Sequence, residues 1–332
     1  MPSVTIHVEP VRFAANRPAR THRLYCTMPT VDIIIPAYNA AHFLPFTLES
    51  VIAQTFPDWR ILLIDDGSRD NTAEVIAPYE QRLGEKLLYI RQENAGLPAA
   101  RNTAIRHSTA EFLALLDADD IWLPQRLEKS VARFDRPEIG LVYGFNARID
   151  ANGKVLDTFD RRNPHAEGKV APYLYMRMLD MNCPTVTFRR SAVDQVGAFD
   201  ETMRATEDRD LWVRIALRYE VALVPEVIAH YRVSPQAMTT DPDRMLQAQL
   251  RFVKKHYGAP GCGRRARRVA LSWIYRQRAE AFALKGQTQS GFLSALRAFA
   301  YYPFHLRNLR SAVSLGWQTA GLMLKSGLPS AR

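Results

Sequence analysis

Early in the chain, short apolar runs alternate with segments whose apolar residues fall at helical spacing. VDIIIPAY (31–38), RILLIDDGS (60–68), KLLYIRQ (86–92) and EFLALLDAD (111–119) are continuous enough for strands covered on both faces. Between them, AHFLPFTLESVIAQTF (41–56) sets Phe43, Leu44, Thr47, Leu48, Val51 and Ile52 at helical spacing. Residues 72–83 and 97–108 carry the same period, with Pro98 in a first turn, where proline is tolerated. Strand and helix in alternation predict a parallel sheet sandwiched by helices, with right-handed crossovers.

The pattern changes after LPQRLEKSVARF (123–134). IGLVYGFNARIDANGKVLD (139–157) holds Asn152-Gly153, a hairpin signal. TVTFRRSAV (185–193) reads as a strand running into a short helix. EDRDLWVRIALRY (207–219) is predicted to be a helix with Leu211, Trp212 and Ile215 facing inward, and VALVPEVIAHYRVS (221–234) to be extended. This half therefore predicts a mixed sheet rather than a second copy of the first. From 243 onward the chain breaks into helical pieces at YGAPGCG, KGQTQSG and Pro303; the two amphipathic pieces flanking KGQTQSG predict a helical hairpin. The expected organisation is an α/β domain over 28–235, with halves 28–122 and 123–235, followed by a basic helical region over 236–332. Residues 1–27 show no periodicity, and Met28 opens MPTVDIIIPAYN like a natural start. The leader is thus expected to be disordered or to come from a misplaced start codon.

The chain has 332 residues, 47% of them apolar, enough for one large domain with an appendage or for two. Cys26, Cys183 and Cys262 are far apart and odd in number, which argues for a reducing compartment, the cytoplasm, over a disulfide framework. No stretch reads as a signal peptide, and SAVSLGWQTAGLMLK near the C-terminus is too short and polar to span a bilayer. Charge is uneven: residues 251–332 hold 15 Lys/Arg against the single acid Glu280, so the first 250 residues carry about −4 of the net +10. Such a tail suits a solvated face or an anionic membrane surface. Nucleic acid is set aside because no recognised binding motif accompanies the charge.

Chemistry gathers at the strand ends, where an open parallel sheet binds ligands. Pro36, Ala37, Tyr38 and Asn39 close the first strand, Asp65-Asp66-Gly67 the second, and Asp117, Asp119 and Asp120 the fourth. An isolated Asp there is commonly a cap or turn former, but three clusters on one rim point to a ligand. No glycine loop of either phosphate-binding type is present. A carboxylate cluster repels phosphate unless a hard divalent cation lies between them, so Mg²⁺ or Mn²⁺ carrying a diphosphate is the expectation.

IIIPAYN, LIDDGSRDNT, NAGLPAARN, LLDADDIW and TEDRDLWVR occur in the order and spacing of the family 2 glycosyltransferases, which this chain resembles over about 31–235. The resemblance implies a GT-A type, Rossmann-like, mainly parallel sheet between helices. It implies that Pro36, Ala37, Tyr38 and Asn39 border base and ribose, that Asp66 takes a uracil N–H, and that Arg101, Asp117 and Ala118 lie near the nucleotide. Asp119 would ligate the metal with Asp120 assisting. Asp208 would be the catalytic base, with Glu207 the second choice; apart from the resemblance, both also simply complement a helix dipole. One departure is plain: where many relatives continue YRxH with a histidine, Tyr231-Arg232 is followed by Ser234. That puts a histidine ligand in doubt and leaves Arg232 or the tail to meet the diphosphate, with His230 expected to be packed or exposed.

The implied activity is inverting transfer of a sugar, from a UDP-sugar on the strength of Asp66, to a glycan or lipid-linked hydroxyl in cell-envelope polysaccharide synthesis. The basic tail would rest peripherally on the inner face of the plasma membrane. Two other readings stay open: a sugar nucleotidyltransferase, whose glycine- and arginine-rich loop is missing from IIIPAYNAAHF, and an inactive nucleotide-sugar binding protein.

Overall fold

A computed structural model describes residues 30–158, 166–203, 205–233 and 241–303. The leader, Ser234 and the chain beyond 303 lie outside the described residues. Strands β1 (Val31–Ala37), β2 (Trp59–Asp65), β3 (Leu87–Arg91) and β4 (Phe112–Leu115) form the parallel half of one sheet, in the spatial order β3-β2-β1-β4. Helices α1 (Leu44–Ile52), α2 (Thr72–Leu83) and α3 (Leu97–His107) connect them. The continuous apolar runs have their expected cause. Ile33 and Ile35 of β1 join one core with Leu44, Leu48 and Ile76, while Ile34 joins the core on the other face with Ala100 and Ala104. The one charge inside β1, Asp32, is fully buried and held by the Arg60 guanidinium at 2.9 Å.

The sheet continues as β8 (Thr187–Arg189), β6 (Ile139–Ile149), β9 (Glu220–Arg232) and β5 (Ile121–Trp122), with β7 (Val155–Thr158) paired to β6. β8 is antiparallel to both β4 and β6, whereas β6 and β9 run parallel. The sheet as a whole is therefore mixed: the first half is parallel throughout, and the second half combines the parallel β6–β9 pair with antiparallel neighbours. The predicted hairpin forms between β6 and β7: Gly153 takes φ +83°, and the Asp150 carboxylate accepts the Asn152 and Lys154 amides at 2.9 and 3.0 Å. Helices α4 (Arg126–Ala132), α5 (Ala171–Tyr175), α6 (Arg190–Val196) and α7 (Glu207–Ala216) complete this half, and Leu211, Trp212 and Ile215 are buried as expected.

The C-terminal helices are α8 (Pro242–His256), α9 (Arg264–Leu284) and α10 (Thr288–Tyr301). Asp241 caps α8 by accepting the Asp243 and Arg244 amides at 3.0 and 3.2 Å. Phe252 and Val253 of α8, with Ala270, Leu271 and Ile274 of α9, lie in the same buried cluster as Leu211 and Trp212. Those two helices are thus continuous with the main core. The expected hairpin forms from α9 and α10, sealed by a small cluster around Ala279 and Ala295.

Candidate active site

The acidic residues after the fourth run do not stand on the strand. β4 ends at Leu115, the Leu116 amide still donates to Ile34, and a turn follows in which the Asp120 amide donates to the Asp117 carbonyl at 3.1 Å. Thr47 of α1, placed by its spacing on an apolar face, is buried there for its hydroxyl. That hydroxyl reaches the Ala118 and Asp120 carbonyls at 2.9 and 2.8 Å and holds the turn from below. Arg232 holds it from the other side. Its amide donates to Asp120 Oδ1 at 2.8 Å, and its guanidinium donates to the carbonyls of Asp119, Asp150 and Ala151 at 2.7–2.9 Å while covering the Phe43 ring. The expectation that Arg232 grips a diphosphate thus meets a guanidinium already engaged with backbone. His230 is half-buried in β9, and burial lowers its pKa.

The three aspartates face different surroundings. Asp120 is fully buried, and its Oδ2 has no hydrogen-bond partner among the described residues. Asp117 remains 26% exposed and accepts from Arg101 at 2.6 Å. Burial and the neighbouring Asp117 charge push Asp119 up to about 6. A carboxylate so crowded by like charge suits a divalent cation. Among the described residues no three His, Cys, Asp or Glu side chains converge into a closed metal cage. A hard ion here would therefore draw its remaining ligands from nucleotide oxygens and water, as Mg²⁺-type sites commonly do. Of the expected pair, Asp119 stands on the rim, while Asp120 serves the turn from inside.

On the neighbouring strand end, Asp66 is buried and organises the loop beyond β3. Its carboxylate accepts from Gln92 Nε2 and the Ala95 and Gly96 amides at 2.7–2.9 Å, while Asn94 Nδ2 donates to its carbonyl. Gly67, at φ +76°, lets this loop close down: a Cβ there would lie 3.0 Å from the Asn94 nitrogen. Asn39 takes φ +51° and receives the Arg69 amide on its side chain at 2.8 Å. Pro36 and Ala37 are buried at the end of β1, and Tyr38 projects with 49% exposure.

Across the rim, α7 begins with Glu207 and Asp208. Arg101, 1% exposed, joins the two sides: Nη2 donates to Asp117 at 2.6 Å and Nη1 to Glu207 at 3.1 Å. Sequence spacing could not show this link, because Glu207 lies 106 residues from Arg101. Burial, with Asp208 beside it, raises Glu207 to about 7 despite the ion pair. Asp208 is less buried; its Oδ2 lies 3.9 Å from the buried Cys183 sulfur. Burial holds the Cys183 thiol neutral, well above its usual range. Tyr231, a neighbour of all three aspartates, is likewise held protonated by burial and their charge. Tyr231 is marked by the YR pair of the family pattern, whereas Cys183 carries no sequence signal that would have marked it as part of this rim.

Residues 32–197 match the sequence model of the family described as glycosyl transferase family 2. The chain is 28% identical over 222 residues to UDP-Glc:alpha-D-GlcNAc-diphosphoundecaprenol beta-1,3-glucosyltransferase WfgD of Escherichia coli, covering 66% of this chain and 83% of WfgD. Among solved structures it is similar to S. aureus TarS 1–349 in complex with UDP, with a TM-score of 0.59 and 17% identity over 91% of this chain and 93% of that one. Of the full TarS chain it covers 49%. It is also similar to mannosyltransferase PcManGT from Pyrobaculum calidifontis in complex with GDP-Man and Mn²⁺, with a TM-score of 0.61 and 20% identity over 90% of this chain and 81% of that one. These structural likenesses are of fold, and the fold is GT-A.

Proposed function

The chain belongs to glycosyl transferase family 2, and from that premise we propose that it is an inverting glycosyltransferase acting in cell-envelope polysaccharide synthesis. The donor would be a nucleoside-diphosphate sugar, UDP-linked in the first instance, and the acceptor a hydroxyl on a glycan or lipid-linked glycan. The observation that carries this reading is the buried Arg101 bridge. It ties the strand-end carboxylates, suited to a donor, to the first turn of α7, suited to an acceptor. The UDP of the TarS complex and the GDP-Man and Mn²⁺ of the PcManGT complex support a nucleotide-sugar site in this fold. The name of WfgD supports a lipid-linked acceptor and a UDP-sugar.

In this reading Asn39 and the Asp66 loop hold the base and ribose, and Asp117 lies near the ribose. Asp119 would hold a divalent ion, which when bound supplies positive charge at the diphosphate. Asp208 takes the proton from the acceptor hydroxyl as that oxygen forms its bond to the anomeric carbon. The bond from that carbon to the diphosphate oxygen breaks on the opposite face, so the centre inverts. Glu207 is placed to orient the helix start rather than to reach an acceptor, since it is buried against Arg101. Asp208→Asn should lower kcat about 10²- to 10⁴-fold, the usual share of a general base. Its donor affinity, followed by thermal shift with UDP-sugars and Mn²⁺, should not change. Full turnover in Asp208→Asn would remove the assignment.

A further inference from the structure

A separate opening lies between α5 and α9. It is a groove of about 520 Å³ between the 173–178 segment and α9, within the range of small-ligand sites. Tyr173, Met178, Val269 and Trp273 give it apolar walls, Arg265 and Arg276 stand on it, and among the described residues no acidic side chain lines it. Tyr173 and Met178 are 44% and 42% exposed. Arg265 has no hydrogen-bond or ion-pair partner among the described residues, while Arg276 pairs with Glu280 at 2.9 Å.

The groove is coupled to the proposed base. Arg209, next to Asp208, donates to the Leu174 and Leu179 carbonyls at 3.3 and 3.0 Å and pairs with Asp180. The loop that forms one wall is thereby tied to the first turn of α7. Inside that loop Arg177 adopts φ +59° and lays its guanidinium 4.1 Å from the centre of the Trp273 ring. Its buried Nε has no partner among the described residues, and it lies within electrostatic reach of Asp180 and Asp208. Arg265 and Arg276 thus stand on an apolar slot, with Arg177 stacked on the Trp273 ring of its wall and Arg209 tying that wall to the turn that carries Asp208.

We propose that this groove seats the phosphate-bearing apolar chain of a lipid-linked acceptor, leaving the acceptor sugar to reach Asp208. The inference rests on the acceptor reading given above and narrows it to an anionic amphiphile. An acceptor carrying its own diphosphate would be repelled by Asp117, Asp119, Asp120, Glu207 and Asp208. It needs cations away from the donor site and a dry surface for its chain, and the groove supplies both.

The test uses the full chain and farnesyl diphosphate, a short prenyl diphosphate, below its micelle concentration. Calorimetric titration should show binding to protein already saturated with UDP and Mn²⁺. Inorganic diphosphate should bind at least about tenfold more weakly, because it lacks the apolar part. The double variant Arg265→Gln/Arg276→Gln should lose about tenfold or more in farnesyl diphosphate affinity while keeping the wild-type thermal shift with UDP, which reports intact folding. Several results would overturn the proposal: no binding of farnesyl diphosphate, competition with UDP, equal affinity for inorganic diphosphate, or undiminished affinity in the double variant. Loss of UDP binding in the wild-type protein would instead strike the donor-site reading, so the two failures are told apart.

Discussion

At the residue scale the site depends on a guanidinium that the motif pattern marked but could not explain. Arg101 appears in NAGLPAARN as one more polar residue near a nucleotide. Its burial between Asp117 and Glu207 makes it the joint between the two halves of the rim. The aspartates were legible because charge at the end of an apolar run is conspicuous. Thr47 was not, since a threonine at an apolar helical position looks like packing until its hydroxyl is seen holding two carbonyls. Glu207 gives a test at this scale. Its folded value of about 7 lies above the 4.5 of an ordinary glutamate. The folded chain therefore keeps a proton that the unfolded chain has released, and Glu207 weakens the fold progressively as pH rises from about 4.5 to about 7. Glu207→Gln should lack that slope. Its urea midpoint relative to wild type should rise between pH 5 and pH 8, and a difference independent of pH would contradict the burial argument.

At the scale of elements, strands and helices were readable where one period governs a segment, as in β1, α2 and α3. Lengths were less so. The fourth strand is expected to reach Asp119, yet β4 stops at Leu115 because the next residues are bent into a turn held by the Thr47 and Arg232 contacts. Those contacts come from Thr47, 71 and 73 positions before the carbonyls it holds, and from Arg232, 113 positions after Asp119, beyond any local pattern. The fixing of α7 is similar. Asp210, fully buried, meets Arg214, Lys255 and His256, each at 2.8 Å, and so pins α7 to α8. Burial alone would raise the Asp210 pKa, but the hydrogen bonds from His256 and Lys255 outweigh it and bring it to about 2. This stabilisation is present above the ordinary value of 3.8 and is lost as pH falls through about 2. Asp210→Asn should cost on the order of 3 kcal/mol at pH 7 by urea denaturation, leaving Lys255 and His256 without their buried partner. The deficit should shrink as the pH is taken down towards 2.

Over the whole molecule, the basic C-terminal region is where sequence and structure part most informatively. Its charge pattern separates it from the acidic body, and the expected boundary falls at 235. Its apolar residues do the reverse: α8 and α9 close the core over α7. Charge shows on the solvent side of an amphipathic helix and apolar residues on the other, so composition reports a separate piece while packing builds a continuous one. Phe252→Ala, deep in that shared core, should therefore cost about 3–5 kcal/mol and lower the stability of the entire transferase body in a single transition. A separate early transition confined to the tail would contradict the shared core. No helix among the described residues is long and apolar enough to cross a membrane.

The central claim is that Asp119 anchors the diphosphate of a nucleotide-sugar through a divalent ion, with Asp208 as the base on the acceptor side. Calorimetric titration of UDP into wild-type, Asp119→Asn and Asp208→Asn proteins, with and without Mn²⁺, tests it most directly. The account predicts that Mn²⁺ tightens UDP binding to wild type and to Asp208→Asn alike, and that Asp119→Asn loses this Mn²⁺-dependent gain. Equal Mn²⁺ enhancement in all three proteins would contradict it.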